Sequence, residues 1–204
     1  MPERSEETMP GNPDEFLALL KPHYRDALQY CRALCRDTHD AQDLLQQSLV
    51  SALEKRNALR DPAKFKSWFF KIITRTFYTQ QQRKFWRRFL PLGSSETEPA
   101  LPPVFEEEQE NERKQRLLLA LQELKPKERA AILLFEIGEF SLQEIADIQG
   151  EKSISAVKSR LSRTRQKLKE CIVAAEKNKS ITTIATGDLH HETEQLAASY
   201  TGRK

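Results

Sequence analysis

A chain of 204 residues and 23.6 kDa has room for one ordinary domain or two small ones, and 38% apolar with 31% charged residues is a globular composition. No apolar run approaches the ~18 residues of a membrane span, and the acidic, Pro-rich start is unlike a signal peptide, so a cytoplasmic protein with no membrane insertion is expected. Cys31, Cys35 and Cys171 form no even disulfide framework, which points to a reducing compartment. The formal net charge of +3 conceals strong segregation of sign along the chain.

Residues 1–13, with three Pro and one Gly, predict a disordered lead-in. Order is expected from Asp14, where Phe16, Leu17 and Leu20 form a short apolar turn. Pro22 suits the first turn of the next helix, where its missing N–H costs nothing. Tyr24, Leu28, Cys31 and Cys35 give that helix its stripe. A further helix follows Thr38, with Ala41, Leu44, Leu45, Leu49, Ala52 and Leu53 recurring at three and four. Asp40, Asp43, Gln46 and Gln47 occupy its opposite side, and it is expected to fray near Asn57.

After the loop "NALRDP" comes a long helical segment of mixed character. Residues 64–88 hold eight Lys or Arg, no Asp or Glu, and eight aromatics, half of those in the chain. Phe65, Trp68, Phe69, Ile72 and Phe77 fall at helical spacing and are expected in the core. Lys66, Phe70, Tyr78, Gln81, Gln82 and Arg83 lie mostly off that stripe. Cations beside exposed aromatics suit single-stranded nucleic acid, because each unstacked base offers a face worth ~1–3 kcal/mol on a ring. A solvated basic helix is the plainer alternative.

Residues 89–112 reverse the sign, with seven Glu, no Lys or Arg, four Pro and one Gly. Residues 91–112 are therefore assigned to a flexible acidic linker, whose ends as a coil average roughly 27 Å apart. From 113 to 171 the pattern is again helical. Leu117, Leu118, Leu121 and Leu124 mark one helix. Pro126 starts a second, with Ala130, Leu133, Leu134 and Ile137 inward and Gly138 at its end. Ser141 and Glu144 form a capping box for a third helix built on Leu142, Ile145 and Ile148. Gly150 suits a left-handed turn into the last helix. The expected fold is all-α, two small helical domains, the second carrying a helix-turn-helix.

Winding the last helix at ~100° per residue gathers Val157, Leu161, Thr164 and Leu168 within about 40° as its buried stripe. Opposite stand Ser159, Ser162 and Gln166, flanked by Lys158 and Arg163. Arg160, Arg165 and Lys167 take the shoulders. Seven basic and no acidic residues lie between Lys152 and Lys169. Short hydroxyls, an amide and cations on one face suit base edges in a major groove, while shoulder cations suit phosphates.

On these residues the chain resembles the extracytoplasmic-function sigma factors of bacterial RNA polymerase. "DAQDLLQQSLVSALEK" resembles the clamp-docking segment, "FKSWFFKIITR" the promoter-melting helix, and "SLQEIADIQG…AVKSRLSRTRQKL" the second-domain helix-turn-helix. The resemblance spans about residues 14 to 171. It implies a sigma factor that directs core polymerase to promoters and makes or breaks no bond itself. Domain 14–90 would bind core and open the -10 element, domain 113–171 would read the -35 element, and the linker would thread the polymerase cleft. Implied contacts with the core clamp coiled coil are Asp40, Asp43, Leu44, Gln46 and Gln47, with the flap as a further core contact. Implied contacts with single-stranded -10 DNA are Asn57, Leu59, Arg60, Lys66, Trp68, Phe70, Lys71, Arg75, Tyr78 and Arg83, the loop from Asn57 to Pro62 capturing a flipped base. Implied contacts with double-stranded -35 DNA are Lys158, Ser159, Arg160, Ser162, Arg163, Arg165 and Gln166. An inhibitory anti-sigma partner and a role in stress response also follow from the resemblance.

The chain departs from the family pattern at Gln47, usually acidic, at Thr76 and Gln80, commonly Asn and Asp, and in the turn "GEKSISAV", which is one residue longer. No cofactor and no metal are expected. His190 and His191 together with Cys31 and Cys35 suggest a metal sensor, but both cysteines lie on an apolar stripe where buried thiols are common. Residues 172–204 carry no assigned role. A helix-turn-helix regulator acting without core polymerase is the alternative reading. An enzyme would need metal carboxylates or a nucleophile with its base, and His23, His39, His190 and His191 sit beside no such set.

Overall fold

The computed structural model describes residues 13–87 and 108–174, and every regular element among them is helical. The lead-in up to residue 12, most of the acidic stretch, and residues 175–204 with His190 and His191 lie outside the described residues.

Helix α1, Pro13–Leu20, is only two turns long and can bury one stripe. Phe16 and Leu20, four apart, take it, and Phe16 meets the Phe65 ring edge-on at 5.5 Å. Leu17, one position round the helix, is 56% exposed, so it is not part of the expected apolar turn. Pro22 sits in a 3-10 turn, Lys21–His23, that leads into α2, Tyr24–Leu34. The buried stripe of α2 is Ala27, Tyr30, Cys31 and Leu34. It is rotated from the expected one, leaving Tyr24 exposed and Leu28 partly buried.

Helix α3, Thr38–Glu54, starts at Asp37, whose carboxylate accepts the Asp40 backbone N–H at 2.7 Å. Its Ala41, Leu44, Leu45 and Ala52 face the core, as their spacing predicts. Asp61 likewise accepts the Ala63 N–H at 2.9 Å and sets the 3-10 turn Pro62–Lys64, from which α4, Phe65–Arg87, departs. Phe65, Phe69, Ile72 and Phe77 are buried as expected, with Trp68 only partly so.

In α4 the buried set is wider than one stripe, since Phe70, Ile73 and Thr74 are also fully buried. The reason is a second contact layer. One side of α4 packs on α2 and α3, and another packs on α6 and α7 from the second half of the chain. Phe70 fills the space between Tyr30 and Phe140, at centroid distances of 5.3 and 5.1 Å.

Helix α5, Glu108–Gln122, begins inside the stretch expected to be linker, in keeping with the high helix propensity of Glu and Gln. Leu121 and Leu124 are buried, whereas Leu117 is exposed. Helix α6, Pro126–Glu136, has Pro at its first position and ends before Gly138. Gly138 serves space and not a left-handed turn: a Cβ there would lie 2.5 Å from the Phe140 ring and 2.7 Å from the Leu134 carbonyl. Helix α7, Leu142–Gln149, carries the expected capping box, with Ser141 Oγ accepting the Glu144 N–H at 3.3 Å and Glu144 Oε2 accepting the Ser141 N–H at 2.9 Å. Gly150 closes it at φ 68°, the expected left-handed turn, and α8 follows over 154–174.

The two halves are joined by polar contacts as well as apolar ones. Arg129 of α6, 7% exposed, donates to the Leu34 carbonyl at the end of α2 at 2.6 Å. The same guanidinium donates to the Leu124 carbonyl and to both Gln122 oxygens. Gln122 Nε2 donates to the Cys35 carbonyl at 2.9 Å. Orphan carbonyls at the C-terminus of one helix are thus satisfied by cationic and amide donors from the other half.

Candidate nucleic-acid interface

Helix α8 is held by Val157, Leu161 and Thr164, all buried, with Leu168 partly so, which is the predicted stripe. Its outer face presents Lys158, Ser159, Ser162, Arg163 and Gln166, all exposed. Arg163 Nε donates to the Ser159 carbonyl at 3.3 Å, and Gln166 Nε2 to Glu170 at 2.7 Å. The shoulders are tied down within the same half. Arg160 donates to Gln149 Oε1 at 2.6 Å and to Glu151 Oε1 at 2.8 Å. Arg165 pairs with Glu136 at 3.1 Å and lies 4.8 Å over the Phe135 ring. Lys167 pairs with Glu128 at 2.7 Å. The hydrogen bond from Arg160 holds the Glu151 carboxyl below its ordinary range, with burial opposing and Lys127 assisting.

In α4 the residues singled out by sequence divide into three groups. Lys71 is half-buried, and Arg75 and Arg83 are exposed. Lys66 and Tyr78 are half-buried and engaged with the other half: the Lys66 ammonium lies 5.2 Å from the Phe140 centroid, and Gln149 Nε2 donates to Tyr78 Oη at 3.0 Å. Burial pushes the Tyr78 phenol up from its ordinary value. Phe70 is fully buried and is not the off-stripe aromatic that its position suggested, because a surface left open by α2 and α3 is closed by α6 and α7. In the preceding loop Asn57 and Arg60 are exposed, but Leu59 is a core residue at 4% exposure.

On α3, Asp43, Gln46 and Gln47 are exposed and Asp40 half-buried, whereas Leu44 is buried completely and is in this arrangement a packing residue, not a contact. Asp40 pairs with Lys84 of α4. Gln80 Nε2 donates to Gln47 Oε1 at 3.1 Å. The two amides thus tie α3 to α4 by a neutral hydrogen bond.

Sequence reasoning missed Arg129, Gln122, Phe140 and Gln149. One signal was available: Arg129 is a cation set directly before the apolar run "AAILLF", where a solvated residue would not be expected. Cys31 and Cys35 are buried, and burial pushes the Cys35 thiol up to about 12, which disfavours the thiolate. Among the described residues no three His, Cys, Asp or Glu side chains are grouped to hold a metal ion, and no helix is long and apolar enough to cross a membrane.

Comparison with known proteins follows the same two halves. Residues 19–87 match sigma-70 region 2, and residues 114–168 match sigma-70 region 4. An ECF RNA polymerase sigma factor, SigG of Mycobacterium tuberculosis, is 29% identical over 178 residues, covering 76% of this chain; the match spans about half of that relative, 48% of its length. RNA polymerase sigma factor YlaC of Bacillus subtilis is 27% identical over 173 residues, covering 82% of this chain and 98% of the relative. Among solved structures, the sigma factor RpoE of Bartonella quintana in complex with the anti-sigma factor NepR is 26% identical with a TM-score of 0.62, covering 78% of this chain and 97% of RpoE. CnrH in complex with the cytosolic domain of CnrY is 25% identical with a TM-score of 0.58, covering 80% of this chain and 91% of CnrH.

Proposed function

This chain belongs to the sigma-70 family, in its extracytoplasmic-function group, and on that premise we propose that it directs core RNA polymerase to promoters, reading a -35 element with α8 and a -10 element with α4. The observation that carries the reading is the sorting of α8: a dry stripe of Val157, Leu161 and Thr164 opposite a wet face of Lys158, Ser159, Ser162, Arg163 and Gln166. Hydroxyls, an amide and guanidinium donors at that spacing match base edges in a major groove. The capped α7 and the left-handed Gly150 turn support reading α7–α8 as a helix-turn-helix.

In the first half, Lys66, Trp68, Lys71, Arg75, Tyr78 and Arg83 remain the candidates for the unstacked strand, with Asn57 and Arg60 at a base pocket. Flipping costs a few kcal/mol of lost stacking, which rings and cations offset. Asp40, Asp43, Gln46 and Gln47 are the candidate face for the polymerase clamp, with a flap contact from the second half. All bond-making belongs to the polymerase, so this chain acts in the cytoplasm as a specificity subunit and not as an enzyme. The proposed domains are residues 14–90 and 113–171, and the start of α5 at Glu108 favours counting that helix with the second. Because the RpoE structure contains an anti-sigma factor, an inhibitory protein partner is part of the proposal.

The test is promoter-directed transcription by the purified chain with core polymerase. Arg163→Ala is expected to lose ~1–3 kcal/mol of promoter discrimination at one -35 position. Uniform loss across sequences reassigns Arg163 to a phosphate. Operator binding without any need for core polymerase overturns the proposal in favour of a free-standing regulator.

A further inference from the structure

Along the crease between α6 and α8 two adjoining hollows share Arg165 and Lys169. The first reaches the end of α8 at Ile172 and Val173, and the second runs back to Lys158 and Ser162 beside Phe135 and Leu142. Phe135, Leu142, Leu168 and Ile172 are each half-buried there, so the crease has an apolar floor that the described residues leave partly uncovered. Its α8 wall is cationic. Arg165 is paired with Glu136, while Lys158 and Lys169 are exposed and make no ion pair among the described residues.

The sequence that follows α8 has the matching pattern. Between Lys179 and Arg203 it contains Asp188, Glu192 and Glu194 and no Lys or Arg. Wound at ~100° per residue, Leu189, Thr193, Leu196 and Tyr200 fall within about 60° of one another, and Asp188 and Glu192 share one shoulder of that stripe. Length and reach agree with the crease. Residues 187–200 as a helix would extend ~21 Å at 1.5 Å per residue, and Lys158 lies ~23 Å from Val173 along α8 by the same rise. The crease opens beside Val173, one residue before the last described one, so residues 175–186 have only to turn the chain back. A flexible stretch of that length averages roughly 19 Å from end to end.

We propose that residues 187–200 dock in this crease, with Leu189 toward Leu168 and Ile172, Leu196 and Tyr200 toward Phe135 and Leu142, and Asp188 with Glu192 beside Lys169. Apolar burial supplies most of the affinity, and the exposed ion pairs chiefly set direction. The docked segment covers Lys158, Ser162 and Gln166, candidate base-reading residues that line the same crease, and so competes with -35 DNA. That consequence rests on the function proposed above; the docking does not. A tethered segment meets its groove at an effective concentration on the order of 1 mM, so a segment that binds at only ~0.1 mM leaves about one chain in ten open.

Two forms of the chain test this, one ended at residue 186 and one full-length with Leu189→Ser and Leu196→Ser. Neither alters a residue of the proposed DNA or clamp contacts. A carbodiimide joins a lysine to a carboxylate only where the two are in contact, and peptide mass spectrometry locates the bond. The free wild-type chain should give intramolecular links from Lys169 to Asp188 or Glu192, and the double variant should lose them. In promoter transcription with core polymerase, both altered forms should reach half-maximal activity at about tenfold lower concentration than wild type. No such link in wild type, links that survive in the double variant, or links only between two differently isotope-labelled chains overturn the docking. Altered forms that still need the wild-type concentration overturn the competition with DNA. Absence of promoter transcription from every form sinks the functional reading, while the crosslinks still decide whether the segment docks.

Discussion

Helices α4 and α8 are both basic and both candidates for contact with DNA, yet they are buried in different ways. Helix α8 has one dry stripe, and every residue outside it is exposed or half-exposed. Helix α4 packs Phe65 against Phe16 of the first half and Phe70 between Tyr30 of the first half and Phe140 of the second, and Phe65, Phe69 and Phe70 are fully or nearly fully buried. A single stripe can be read from periodicity because one neighbour imposes one direction. Two stripes a hundred degrees apart look in sequence like an apolar stripe with an exposed aromatic beside it, and only tertiary packing tells these apart.

The sharpest way to break that contrast is Phe70→Ala against Ser162→Ala. Removing a ring that is 0% exposed should cost ~3–5 kcal/mol in urea unfolding of the full chain, through lost transfer and the cavity left behind. Ser162→Ala on the exposed face of α8 should stay within ~0.5 kcal/mol. If Phe70→Ala instead unfolds like wild type, then in solution α4 has a free second face and its aromatic is available for bases.

Arg129→Met should be the next largest effect. It keeps most of the volume but leaves the carbonyls of Leu34 and Leu124 without their cationic donor, as well as the Gln122 side chain that the guanidinium orients. Hydrogen bonds to a charged group contribute ~1.5–3 kcal/mol each and are not additive, so a loss of about 3 kcal/mol is expected in the same unfolding measurement. A loss below ~1 kcal/mol would mean that the Arg129 hydrogen bonds contribute little to holding the two halves together.

Most of the second half is legible in the sequence. Ser141, Glu144 and Gly150 act through neighbours three or four residues away, and capping and left-handed turns are local chemistry. Val157, Leu161 and Thr164 follow from helix period in the same way. Leu44 and Leu59 were misplaced among surface contacts for a different reason: family analogy assigns a segment to a partner, but burial within that segment is decided residue by residue. Phe70, Arg129 and Gln149 depend on residues 70 to 95 positions away, beyond any local window. Leu17 and Tyr24 show the opposite failure, where an apolar type was taken for a buried one although surfaces hold many such residues.

Gly150→Ala tests the turn that sets α8 against the rest, with an intermediate effect. A Cβ at Gly150 would meet nothing within 4 Å, so the penalty is the φ of 68° alone. That conformation costs a non-Gly residue ~1–2 kcal/mol, and Asn tolerates it better. Thermal unfolding should therefore rank wild type above Gly150→Asn above Gly150→Ala. Equal melting of Asn and Ala variants would show that the turn had relaxed to another geometry, and the facing of Lys158, Ser159 and Ser162 would then be open to revision.

The smallest expected effect concerns pH and the tie between α8 and the turn. Arg160 at 2.8 Å and Lys127 at 3.3 Å both pair with Glu151, whose folded-state carboxyl lies below its ordinary 4.5. A depressed carboxyl pKa contributes stability that is fully present above the unfolded value and is lost as pH falls through the folded one. The contribution of pairs this near the surface is about 0.5–1 kcal/mol and is screened by salt. Glu151→Gln should accordingly be less stable than wild type by that amount at pH 7, and the gap should close as pH is lowered below 4.5. It should also shrink at pH 7 when salt is raised. A gap independent of both pH and salt would assign the role of Glu151 to shape and hydrogen bonding, with no ionic share in holding Arg160.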